Sequence, residues 1–144
     1  MAKEGVQMVP NKGVATGGPV EQRPHPDCPG DTVIRSVGEG TAHGTHTGAY
    51  TWTGWHCFDF ITLQFYDGHI TWITANGDEV YVEYEGFLTG PNTWQARETV
   101  VGGTGRFENA TGWADEYGKS IDTPDGSAWT ITYDGMISSV GSSK

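Results

Sequence analysis

The sequence predicts an all-β, antiparallel fold of eight strands, closed into a barrel or stacked as a sandwich. Two observations carry this. Eight short runs rich in Thr, Val, Ile, Tyr, Phe and Trp follow one another from Thr32 to Ile137, and none sustains the apolar stripe of a helix. Between them lie glycine-bearing turn signals on connections too short for a parallel crossover, so neighbouring strands must run antiparallel. A barrel removes the exposed sheet edges and leaves an interior for packing or for a small ligand.

Residues 1–31 stand apart from this texture. They hold five of the seven prolines and few large apolar side chains, and read as an extended or flexible N-terminal arm. Cys28 lies at the end of the arm and Cys57 begins a strong strand. A disulfide between them is favoured over two reduced thiols and would tie the arm to the body. A reactive Cys57 is the weaker alternative, because Phe58 and Phe60 fit burial. The body, 32–137, then runs through TVIRSV (32–37), THTGAYTWT (45–53), CFDFITLQFY (57–66), HITWITA (69–75) and EVYVEYEGFL (79–88). TWQARETVV (93–101), TGWADEY (111–117) and SAWTITYDGMI (127–137) follow. Tyr66-Asp67-Gly68-His69 and Ala75-Asn76-Gly77-Asp78 are tight-hairpin signals, and Pro124-Asp125-Gly126 is another turn. Residues 138–144 read as a flexible tail.

A chain of 144 residues suits one domain. Its 8 basic and 18 acidic side chains give a formal charge of −10, which disfavours nucleic acid and anionic lipid as partners. No apolar run is long enough for a membrane helix, and none forms a signal-peptide core at the start. A cytoplasmic chain and a secreted one already trimmed of its signal both fit. No nicotinamide fingerprint, phosphate loop or G-x-S-x-G elbow occurs. His43-x-x-His46, His25, His56 and His69 match no zinc spacing. The sequence therefore assigns neither a metal nor another cofactor.

GGTGRFENATG at 102–112 resembles the GGTGRF-x-x-A-T-G hairpin of bacterial small barrels related to allene oxide cyclases and plant dirigent proteins. THTGAYTWTG is similar to their strand carrying His, Gly and an aromatic residue. Phe65-Tyr66-Asp67-Gly68 and Thr74-Ala75-Asn76-Gly77-Asp78 resemble the hairpins that follow. The likeness spans about Gly38 to Ile137. It implies a closed eight-stranded, allene oxide cyclase-like barrel with an apolar cavity and, in many members, a homo-oligomer. Allene oxide cyclases guide closure of a reactive epoxide, and dirigent proteins orient phenoxy radicals. No complete catalytic motif of either matches, so no catalytic residue is carried over. On the residues alone, Gly102, Gly103 and Gly105 permit backbone angles or close approaches that other residues oppose, and the segment serves a bend rather than a phosphate. Arg106 reads as a structural partner for a carboxylate.

Alternation nominates the site. Asp59 shares a face with Cys57, Ile61, Leu63 and Phe65; Glu98 with Trp94, Ala96 and Val100; Asp115 with Trp113 and Tyr117. His46, Tyr50 and Trp52 share another, as do Trp129, Ile131 and Tyr133. If these faces point inwards, Glu98, Asp59 or Asp115 is an acid–base group of raised proton affinity, with His46 as the alternative base. Tyr50 and Tyr133 would orient an oxygen, while Trp52, Phe65, Trp94, Trp113 and Trp129 would hold the ligand. The structural alternative pairs these acids with Arg97 or Arg106. The leading expectation is cofactor-free cyclisation or isomerisation of an apolar, oxygen-containing small molecule, with Glu98 first among the acids. Lipocalin-like transport comes second, and glycan binding or assembly through exposed aromatics third.

Overall fold

The computed structural model describes residues 6–124 and 126–140. Eight strands, β1 (Met8–Arg23), β2 (Val33–Gly44), β3 (Gly48–Asp59), β4 (Gln64–Thr74), β5 (Glu79–Gly90), β6 (Thr93–Gly103), β7 (Gly112–Thr123) and β8 (Gly126–Ser138), close into an antiparallel barrel. Each pairs with its neighbours in the chain, and β1 pairs with β8. Connections 24–32, 60–63, 91–92 and the one between β7 and β8 therefore gather at one end, the mouth. Connections 45–47, 75–78 and 104–111 lie at the other, the floor.

The barrel begins at Met8, so most of the expected arm is a strand; residues 1–5 lie outside the described residues. Its composition is explained by its neighbours. Gly13 and Gly17 face inwards, where an added Cβ would lie 2.6 Å from the Tyr133 hydroxyl and 2.7 Å from the Trp52 ring. Small residues on β1 make room for large ones on β3 and β8. Its two prolines avoid the doubly paired stretch: Pro10 pairs only with β8, and Pro19 only with β2, beside a register shift. Beyond β1 the chain turns through His25 and Cys28, and Cys28 is bonded to Cys57 of β3.

Two other boundaries differ from the sequence pattern. The run 57–66 breaks at 60–63, because the Asp59 carboxylate accepts the amides of Ile61 (2.9 Å) and Thr62 (3.3 Å) and ends β3 there. Asp67-Gly68 is a register shift inside β4, with Asp67 at φ 52°, and not a hairpin. Of the expected tail, 141–144 lie outside the described residues; Ser139 donates its amide to Gln7 O at 2.6 Å.

The floor is solid. Val80, Val82, Val100, Phe107, Ala110 and Ile137 are buried against one another. Phe107 comes from the GTGRF segment, whose Gly105–Phe107 forms a short 3-10 turn. Arg106 reaches across to the β4–β5 connection, donating to Asp78 Oδ2 (2.9 Å), Asn76 Oδ1 (3.1 Å) and Thr74 Oγ1 (3.3 Å). One arginine thus fastens two floor connections together.

Candidate functional site

Above the floor the interior is open, a cavity of about 220 Å³ that runs towards the mouth. Its side chains follow the period-two alternation of strands whose other face is exposed. β3 contributes Tyr50, Trp52 and His56; β4 contributes Phe65 and Trp72; β5 contributes Tyr84. Trp94 and Glu98 come from β6, Glu116 from β7, and Trp129 and Tyr133 from β8.

Glu98 is 5% exposed and its Oε1 has no hydrogen-bond partner. Burial first, then the neighbouring Glu116 carboxyl and the hydrogen bond between the two, hold its proton affinity well above the usual carboxylate range. The register explains the pairing: Glu98 lies opposite Ala114, and Glu116 opposite Ala96, so the two acids are diagonal neighbours on one inward face. Trp94 Nε1 donates to Glu116 Oε2 at 3.1 Å. On the other side Tyr84 faces Glu98 directly across β5 and β6. Its hydroxyl meets His56 Nδ1 at 2.5 Å. Burial pushes the His56 imidazole down to about 4 and the Tyr84 phenol well up, so both are neutral. Tyr50 donates its hydroxyl to Tyr133 at 2.8 Å, and burial pushes the Tyr133 phenol up to about 12.

The walls are aromatic. Trp52 and Trp129 stack at 6.4 Å, Trp94 stands edge-on to Trp129 at 6.1 Å, and Tyr50 stacks on Trp72 at 4.7 Å. Trp52 Nε1, like Glu98 Oε1, is buried without a partner. The cavity thus presents a carboxylic acid, paired phenols, a neutral imidazole and a free indole N–H inside an apolar shell. Such a set can bind an oxygen and move a proton.

The structure brings Glu98, Tyr50, Tyr133, Trp52, Phe65, Trp94 and Trp129 together around this cavity. Four expected residues lie elsewhere. Asp59 is taken up by its turn and by Thr32 Oγ1 (3.1 Å); chiefly the Ile61 amide holds its carboxyl below the usual range, opposite to what a proton donor needs. Asp115 and Trp113 point outwards. Asp115 pairs with Arg97 at 3.0 Å, and the guanidinium lies 4.4 Å from the centre of the Trp113 ring. His46 sits in the floor connection 45–47, where its Nε2 accepts the Val140 amide at 3.1 Å.

Glu116, His56, Tyr84 and Trp72 were missed. Glu116 alternates with Ala114 and Gly118, a face that looks too small to be a wall. It is small because Trp94 fills the space: a Cβ at Gly118 would lie 2.1 Å from that ring. His56 has the parity of Tyr50 and Trp52 on β3, so the alternation that nominated those two also reaches it, past the end of the 45–53 run.

The closed eight-stranded barrel fold is shared with solved structures of dirigent proteins. The chain is similar to the pterocarpan synthase dirigent protein GePTS1, with TM-score 0.58 and 15% identity over 96% of this chain and 92% of that one. It is also similar to the pterocarpan synthase dirigent protein PsPTS1, with TM-score 0.55 and 14% identity over 91% and 94%. No family model and no curated protein sequence matches the chain.

Proposed function

We propose that the barrel is a cofactor-free cyclase or isomerase that folds an apolar, oxygen-containing small molecule against its tryptophan walls and moves one proton through Glu98. One observation carries this: a buried, unpartnered carboxyl oxygen of raised proton affinity faces an aromatic cavity. Such a group holds its proton to higher pH than an exposed glutamate does and can donate it when substrate oxygen gains charge. Trp52 Nε1 and the Tyr50–Tyr133 pair supply hydrogen bonds to that oxygen. The tryptophan walls supply the contacts that bring reacting ends together. The likeness to pterocarpan synthase dirigent proteins supports a templating barrel.

The cavity is below the ~300–1,000 Å³ typical of drug-sized ligands, so the substrate is small. The test is incubation with a pool of small apolar metabolites, followed by a ligand-bound structure and product analysis. Conversion is expected, and Glu98→Gln should keep binding while slowing turnover about a hundredfold or more. Binding without conversion would make the barrel a carrier. Unchanged turnover in a folded Glu98→Gln variant would remove Glu98 as the proton donor.

A further inference from the structure

We propose that the ligand of this cavity carries a protonated amine, with the Glu98–Glu116 pair as its counter-ion and the tryptophan rings as its walls. The inference rests on the reading of the cavity as the ligand site and adds the charge of what enters it.

It follows from where the cations are. Every arginine is engaged outside the cavity: Arg23 with Glu21, Arg35 with Glu21 and Asp27, Arg97 with Asp115, and Arg106 with Asp78. No lysine or arginine lines the cavity among the described residues. Sharing the cavity with Glu98 are Tyr84 of β5 and Glu116 of β7 on the neighbouring strands, and Tyr50 of β3 and Tyr133 of β8 farther round the wall, none of which can become positive. His56, the one basic side chain in the lining, is kept neutral by burial.

Glu98 and Glu116 place two buried carboxyl groups side by side on one inward face, with Glu98 Oε1 left without a partner and no lysine or arginine in the lining among the described residues. Buried acids are ordinarily matched by a cation or by hydrogen-bond donors, and here the protein supplies no cation. An ammonium group brings both, donates an N–H to the open oxygen, and lies against indole faces whose electron density attracts positive charge.

A second, independent atom refines the class. Trp52 is 8% exposed and its Nε1, a donor only, has no partner. The ligand therefore also offers an oxygen acceptor. A small aryl-alkyl amine bearing a hydroxyl or ether meets all three demands of charge, acceptor and apolar surface.

Tyramine and tyrosol test this, because they differ only in an amine against a hydroxyl. Isothermal titration calorimetry at neutral pH should give tyramine the tighter binding by about tenfold or more. In the double variant Glu98→Gln, Glu116→Gln, with its fold checked by circular dichroism, tyramine should fall to the level of tyrosol while tyrosol changes little. Tyrosol binding as tightly as tyramine would overturn the inference and leave the cavity as the ligand site. A preference that survives in the double variant would also overturn it, by placing the cation elsewhere. Binding of neither probe at millimolar concentration would overturn it, whereas conversion of a metabolite from the neutral fraction would still uphold the proposed function.

Discussion

Glu98 binds its proton more tightly in the folded chain than an exposed glutamate does, and this has a thermodynamic sign. A carboxyl of raised affinity stabilises the fold while protonated, so its contribution is complete below the ordinary glutamate range and drains away as the pH climbs towards the raised value. The loss runs at about 1.4 kcal/mol per pH unit across that window. Glu98→Gln abolishes it. The melting temperature of the variant should therefore gain steadily on that of the wild type as the pH rises above the ordinary glutamate range, and parallel curves would contradict the buried acid. Asp78 has the opposite sign: the Arg106 guanidinium holds its carboxyl low, so its contribution is present at neutral pH and is lost on acidification. Single residues were legible where alternation met large apolar neighbours that truly face inwards, as on Trp94-Ala96-Glu98-Val100. The same rule misplaced Asp115, since Trp113 and Tyr117 are aromatic but outward, one covered by Arg97 and the other 54% exposed. A wall of alanine, glutamate and glycine is recognisable only once the tryptophan opposite is known.

At the scale of elements, the floor depends on a turn that only glycine enters freely. Gly105 has φ 55°, and a Cβ there would stand 2.2 Å from the Asp78 carboxylate that Arg106 grips. Gly48 also has positive φ, 72°, but open space around its missing Cβ. Gly48→Ala should thus cost about 1–2 kcal/mol of backbone strain alone. Gly105→Ala should cost more than that, because it also breaks the fastening between two connections; chemical denaturation of the two variants compares them. Equal losses would mean that the Arg106 clamp contributes nothing. Strand identity was legible from β-branched and aromatic runs, yet their ends were not. Phe60, Ile61 and Leu63 read as strand, but all three are exposed on a turn dictated by one aspartate side chain. β1 failed in the other direction: its glycines and prolines read as an arm because their purpose, clearance beneath Trp52 and Tyr133, lies on other strands.

For the whole molecule, closure runs through β1, which pairs along both sides. Deleting residues 1–23 should leave β2 and β8 with unpaired edges, and the product should aggregate or fail to fold in size-exclusion chromatography. A monodisperse, cooperatively melting truncation would return the segment to the status of an appendage. The Cys28–Cys57 bond closes a span of 29 residues beside the mouth. A span of that size stabilises by about 3–4 kcal/mol through the unfolded chain, so replacing both cysteines with alanine should lower the melting temperature by about 10 °C. The interior has one more consequence, an optical one. Trp52, Trp72, Trp94 and Trp129 line the cavity, while Trp55 and Trp113 do not. Indole emission shifts with the polarity around the ring, and most of the chain's six indoles share one small volume. Occupancy of the barrel should therefore be visible in the protein's own light, without a label, as a change in the colour and polarisation of its ultraviolet fluorescence.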